Sequence, residues 1–206
     1  MIRNQKSFFY RGILHYYVRW IVGRHFHDVK FNTVGVDPNK SILLIANHFS
    51  FWDALILYCV NIKLFKKKFH VMVREDTTVK LHYLKFGGAF SIKKQSKDMM
   101  RSLDYASQLL HEPGNLVLIF PQGKLYSCFT DNIVFEKGLM RVAEGARGKF
   151  QLIFAATFIQ YLKSKKPDVT VYLKNEECEG TKLDELRSNY QRYYNAAKTE
   201  QSQITL

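Results

Sequence analysis

Short, continuously apolar runs recur along the chain, each cut off by polar or turn-forming residues. Ser41–Ala46 (SILLIA) gives way to Asn47-His48, and Leu116–Phe120 (LVLIF) to Pro121-Gln122-Gly123. His70–Val73, Ala89–Ile92, Leu152–Phe158 and Val169–Leu173 are further runs of strand length. Strands apolar on both faces belong to parallel sheets covered by helices. The intervening segments carry helical spacing. Asp53–Val60 and Thr77–Lys85 are helical in character, and Lys97–His111 places Met99 or Met100, Leu103, Ala106 and Leu110 on one face. Ser96 is the N-cap of that helix and Pro113-Gly114 its stop. Phe135–Gly145 and residues 183–199 complete the set, and Gln201–Leu206 reads as a frayed end. The pattern predicts one α/β domain over residues 1–206, with a mostly parallel central sheet flanked by helices.

Before the first strand, residues 8–27 set Phe9, Ile13, Tyr16, Tyr17, Trp20 and Ile21 among Arg and His at roughly helical spacing. An amphipathic, aromatic-basic helix of this kind suits a membrane interface, and it equally suits packing on the domain core. Residues 1–30 are the membrane-interface candidate. The longest apolar run, Leu152–Leu162, is interrupted by Thr157 and Gln160. A membrane-spanning helix needs roughly 20 apolar residues, so none is expected. A secretory signal is not expected either, because the basic N-terminus lacks an uninterrupted apolar core and a small-residue cleavage site.

Composition adds a charge asymmetry. Lys plus Arg number 31 against 18 Asp plus Glu, a net charge of +13. Residues 1–30 hold six basic residues and one acid, and residues 61–101 hold eleven basic residues and three acids. These two segments carry the whole excess, so an anionic partner is expected at two places: nucleic acid, a membrane surface or a phosphorylated substrate. The 47% hydrophobic content excludes a wholly disordered chain. Cys59, Cys128 and Cys178 show no CxxC spacing, which argues against a disulfide framework or structural zinc and for a reducing compartment.

Polar residues follow immediately after three of the apolar runs: Asn47-His48, Lys93-Lys94, and Pro121-Gln122-Gly123-Lys124. Open α/β sheets bind ligands beyond the carboxyl ends of their strands, so parallel neighbours would bring a base and an anion site together. His48 and Asp53 are five residues apart, about 140° around a regular helix, and would not meet on one. If His48 lies in a loop and Asp53 in the first helical turn, the carboxylate can reach back to one ring nitrogen. Taken alone, that spacing leaves a catalytic and a structural histidine both open.

The longer strings carry more. Asn47-His48-Phe49-Ser50-Phe51-Trp52-Asp53 resembles the NHxSxxD (HX4D) signature of the glycerolipid acyltransferase family, which includes the lysophosphatidate (1-acylglycerol-3-phosphate) acyltransferases. Residues 88–94 (GAFSIKK) resemble the second block, GxxxIxR, with Lys94 at the usual Arg. Phe120-Pro121-Gln122-Gly123-Lys124 resembles the third, FPEGT, and Phe135-Glu136-Lys137-Gly138 the FxxG segment after it. The strand Leu152–Thr157 falls where the fourth block is expected, and the resemblance runs from about Gly35 to Thr157.

The resemblance implies transfer of a fatty acyl group from acyl-CoA or acyl carrier protein to a lysophospholipid or related lysolipid hydroxyl. It implies His48 as general base and Asp53 as its orienter, with no metal and no cofactor beyond the acyl donor. Asn47, Ser50, Lys93, Lys94, Phe120, Pro121, Gln122, Gly123 and Lys124 become the substrate-binding candidates, Lys94 and the Gly123 turn toward an acceptor phosphate. The implied setting is peripheral attachment to anionic lipid on the cytoplasmic face of the cell membrane. Five places depart from the pattern. Gln122 stands for Glu, Lys124 for Thr, Leu125 for the following Arg, Lys94 for Arg, which loses the bidentate fork, and Ala155-Ala156-Thr157 lacks the fourth block's proline. They point to a shifted acceptor, such as an amino-acid lipid taking the acyl group on oxygen or nitrogen, or to an inactive lipid-binding relative.

Other features carry less. Ser127 has no GxSxG elbow, and Cys128 is expected to be partly buried and inert. His25-Phe26-His27-Asp28 reads as a solvated helix end and Lys66-Lys67-Lys68 as a solvated charge run. Basic segments interleaved with aromatics could bind nucleic acid, but no nucleic-acid-binding motif accompanies them.

Overall fold

The computed structural model describes residues 8–74, 88–92, 97–177, 180 and 182–205. The predicted helix at Thr77–Lys85 and the residues Lys93 and Lys94 lie outside them. In chain order the elements are α1 (Phe8–His25), β1 (Val29–Phe31), β2 (Ser41–Ala46), α2 (Asp53–Val60), β3 (Lys68–Arg74) and β4 (Ala89–Ile92). After them come α3 (Lys97–Leu109), β5 (Asn115–Ile119), α4 (Gly138–Gly145), β6 (Phe150–Gln160), β7 (Asp168–Glu176) and α5 (Leu183–Ser202). One seven-stranded sheet has the order β1-β7-β6-β2-β5-β3-β4. β6, β2, β5, β3 and β4 are mutually parallel, whereas β7 runs antiparallel to β6 and carries β1 beside it.

The apolar runs fill both faces of this sheet. In β2, Ile42, Leu44 and Ala46 pack with Val18 and Val22 of α1 and Ile56, Leu57 and Val60 of α2. Leu43 and Ile45 face the other way, against Leu103 of α3, Val142 of α4 and Tyr190 of α5. All six β2 residues are buried, and the five from Ile42 to Ala46 remove apolar surface from water on one side or the other. β4 approaches β3 through Gly88, whose φ of 103° suits only glycine and where a Cβ would run into the Phe69 carbonyl oxygen.

Two sequence expectations change. The end of the chain is not frayed at Gln201, because α5 reaches Ser202 and the buried Gln201 side chain bonds Gln160 at 2.8 Å and Tyr172 at 3.2 Å. Cys128 is exposed rather than partly buried, because it lies in the irregular segment after β5. The N-terminal helix packs on the core through the buried Val18 and Val22, while Ile13, Tyr16, Tyr17 and Trp20 stay exposed. No helix among the described residues is long and apolar enough to cross a membrane.

Candidate active site

Because β2 and β5 are parallel neighbours, the segments after them emerge at one edge of the sheet. His48 leaves β2 in a short loop, and Asp53 is the first residue of α2. The loop turns the imidazole back, and His48 Nδ1 lies 2.8 Å from Asp53 Oδ2. Asp53 is fully buried, while the His48 side chain keeps 25% of its surface accessible.

The carboxylate is tightly satisfied. Oδ2 also accepts the backbone N–H of Phe49 at 2.8 Å and of Ser50 at 2.9 Å, and Oδ1 accepts the Ser50 hydroxyl at 3.0 Å. The Ser50 oxygen in turn accepts the Trp52 N–H at 3.0 Å, closing the turn that starts α2. A buried carboxylate surrounded by donors is an acceptor, so His48 Nδ1 carries the proton and Nε2 is left as the basic nitrogen. Asp53 in the first helical turn also meets the positive end of the helix dipole.

Three further contacts fix the histidine. Its backbone N–H donates to Gln122 Oε1 at 2.7 Å, and its carbonyl accepts the Tyr126 N–H at 3.0 Å. Its ring stacks on Phe120 with centroids 4.0 Å apart and planes 14° from parallel. The FPQG segment therefore buttresses His48 on two sides. Gly123 makes the turn with φ 63°, and its N–H is spent on the Phe120 carbonyl at 3.1 Å. That amide is therefore no donor to an outside anion. Pro121 anchors the next segment by accepting the Glu136 N–H at 2.8 Å. Lys124 is exposed, with Nζ 5.1 Å from the centre of the Tyr126 ring.

Asn47 and Ser50, substrate-contact candidates from the sequence, have their polar atoms committed to the protein. Asn47 Nδ2 donates to the Thr157 carbonyl at 3.0 Å and its Oδ1 accepts the Thr157 N–H at 2.8 Å. This pair ties the end of β2 to β6 at the position of the fourth sequence block. A narrow crevice lies beside His48, with Gln122, Ser127, Cys128, Ile133 and Tyr194 on its walls. Burial pushes the Tyr194 hydroxyl up to about 12, so that wall is neutral. Ile133 and Tyr194 carry no motif, and only the fold brings them to the site. Among the described residues no cluster of His, Cys, Asp and Glu could hold a metal ion. The solvated helix end at His25–Asp28 is partly engaged, with His25 against Trp52 and His27 2.8 Å from Asp168.

Comparison with known proteins agrees with this arrangement. The family model described as Acyltransferase matches residues 28–174. None of the curated proteins matches the chain in sequence. Among solved structures, the 1-acyl-sn-glycerophosphate (LPA) acyltransferase PlsC from Thermotoga maritima superposes with a TM-score of 0.65 at 15% identity. The superposition covers 94% of this chain and 82% of that one, and at such identity it speaks for the fold.

Proposed function

The chain belongs to the acyltransferase family, and on that premise we propose that it moves a fatty acyl group from a thioester to the hydroxyl of a lysolipid. The observation that carries this reading is the His48–Asp53 pair: an oriented imidazole whose second nitrogen has no hydrogen-bond partner among the described residues, beside a narrow crevice. His48 Nε2 takes the proton of the acceptor hydroxyl as its oxygen attacks the thioester carbonyl. The C–S bond then breaks, and the imidazolium returns the proton to the leaving thiolate. Asp53 holds the ring and its tautomer and stabilises the imidazolium that forms between the two proton transfers. No covalent acyl-enzyme and no cofactor enter this scheme; acyl-CoA or acyl carrier protein is the donor.

For an acceptor bearing phosphate, the proposed anion contacts are Lys93, Lys94 and Lys124. Lys93 and Lys94 follow in sequence on β4, which runs parallel to β3 and ends at Ile92. Peripheral binding to a membrane is supported by exposed apolar side chains around the crevice and along α1. Phe51, Leu125 and Phe129 are exposed on the segments that frame His48, and Trp20, Tyr17 and Tyr16 on α1. Aromatic rings beside basic residues, such as Trp20 with Arg24 5.9 Å from its ring centre, suit the headgroup layer.

Purified protein given acyl-CoA or acyl carrier protein, together with lysophosphatidate or a panel of other lysolipids, is expected to release free thiol. His48→Ala should abolish that release while circular dichroism shows an intact fold. An alanine variant with full activity would overturn the mechanism.

A further inference from the structure

In the lysine run at 66–68, Lys66 and Lys68 are exposed as the sequence suggests, but Lys67 is drawn into the protein, and the run lies away from the catalytic edge. Lys67 Nζ is turned inward, donating to the carbonyls of Lys40 at 2.8 Å and Pro113 at 2.7 Å. The backbone around it is held as well. Asn61 donates to the Lys67 carbonyl at 2.9 Å and accepts its N–H at 3.2 Å, and the Lys66 N–H reaches the Asn61 carbonyl at 2.7 Å. Helix α2 runs on through a wider turn, Asn61–Phe65, and stops at Lys66 with φ 54°. That left-handed position is one glycine or asparagine usually occupies. The fixed turn leaves Lys66 and Lys68, both exposed, on either side of the anchored Lys67.

These two lysines border a groove of about 360 Å³ between α1, the end of α2 and the start of β3. Leu14, Tyr58, Ile62 and Phe69 form its apolar wall. His15 joins the groove to the outer face of α1: its ring meets Tyr58 edge-on at 6.3 Å and the exposed Tyr16 at 5.6 Å. We infer that this groove seats the phosphate of an anionic phospholipid from the bilayer on which α1 lies. Lys66 and Lys68 would meet the headgroup, and the acyl chains would run along Tyr16 and Ile13. A cationic rim calls for an anion. An apolar wall continuous with an exposed aromatic helix face calls for an amphiphile, which a free phosphate or a nucleic acid does not satisfy.

The placement has a consequence for catalysis. The groove lies at the amino end of β3, whereas His48 follows the carboxyl end of the parallel strand β2. From His15 to His25, which packs on Trp52 beside the catalytic loop, α1 spans about 15 Å at 1.5 Å per residue. A headgroup held at one end of α1 and aromatics inserted along it would fix the rotation of the domain on the surface, and so the direction in which the crevice faces.

The inference rests on the membrane-bound reading of the protein but is tested without catalysis. Full-length protein is sedimented with phosphatidylcholine vesicles, with and without phosphatidylglycerol. The variant Lys66→Asn/Lys68→Gln keeps a left-handed-tolerant residue at 66 and removes both charges. Arg147→Gln/Lys149→Gln removes the same charge from the exposed turn between α4 and β6, outside the groove lining. The groove variant is expected to lose roughly tenfold or more in binding to anionic vesicles, at about fivefold per lysine, and the control less than about twofold. Equal losses in the two variants would show diffuse attraction and overturn the site. Glycerol 3-phosphate binding to the wild type with micromolar affinity, abolished in the groove variant, would make it a metabolite site and overturn the lipid assignment. Thiol release with a short-chain, water-soluble acceptor should be unchanged in the groove variant. Absence of that release in the wild type would count against the proposed reaction alone.

Discussion

The side-chain oxygen of Gln122 accepts the backbone N–H of His48 at 2.7 Å, across the gap between the segments that follow β5 and β2. The bond uses an acceptor that glutamate offers equally, so the Gln122 departure from the FPEG pattern preserves the geometry while removing a charge beside the base. Gln122→Glu is therefore expected to hold kcat within a few-fold. Gln122→Leu leaves the His48 N–H without its partner, at a cost of about 1–3 kcal/mol. Displacing the imidazole from its working position should lower kcat by roughly 10- to 100-fold. Steady-state thiol release by the two variants, with thermal melts alongside, checks this. Full kcat in the leucine variant would sever Gln122 from the positioning of His48.

Much of that relationship could be read from the chain. Continuously apolar runs marked the parallel strands, and the residues just beyond β2 and β5 had to meet once those strands paired. The meeting of His48 and Asp53 followed from placing one in a loop and the other in a first helical turn. Other features had no local signal. β1 is three residues with a charged Lys30 at its centre, and it forms because the edge of β7 accepts it. The antiparallel return of β7 onto β6 follows from the short connection at residues 161–167, which leaves no room for a crossover helix. The Asn47–Thr157 clamp joins residues 110 positions apart, and nothing in either string names the other. Lys67 reads as surface charge because its two carbonyl partners come from distant turns.

Asp53 has four donors directed at two oxygens: His48 Nδ1, the Phe49 and Ser50 amides, and the Ser50 hydroxyl. Asparagine offers one acceptor oxygen and an amino group. Asp53→Asn must turn that amino group toward one of the donors, and facing Nδ1 it shifts the imidazole proton to Nε2. The expected result is a fall in kcat of about 10²–10⁴ with KM little changed. A larger change in KM than in kcat would place Asp53 in substrate binding instead.

The clamp at the end of β2 makes opposite predictions for its two partners. Asn47→Ala strips partners from the buried Thr157 N–H and carbonyl, at roughly 2–4 kcal/mol for the two. In a chain of this size that lowers Tm by about 5–10 °C. The Thr157 hydroxyl is buried without a hydrogen-bond partner among the described residues. Thr157→Val replaces it with a methyl of similar shape, and Tm is expected to hold or rise. Differential scanning calorimetry on both variants separates the two effects. A large loss in the valine variant would mean that the hydroxyl is satisfied in the folded protein.

Helix α5 packs a tyrosine cluster behind the site and gives stability a dependence on alkaline pH. Tyr190 is fully buried and donates to the Ala155 carbonyl at 2.7 Å. Burial raises its hydroxyl well above the ordinary 10, and raises that of Tyr194 to about 12. In the unfolded chain both titrate near 10, so above that pH the unfolded state binds fewer protons than the native state. Stability from these groups is therefore complete below about pH 10 and is lost progressively as pH climbs toward and past the folded values. Tm should be level through neutral pH and fall above about pH 10. Tyr194→Phe, which removes one titrating hydroxyl without adding a charge, should show a shallower fall when melts are followed across that range. The same steepness in wild type and variant would mean that the alkaline loss arises elsewhere than at Tyr194.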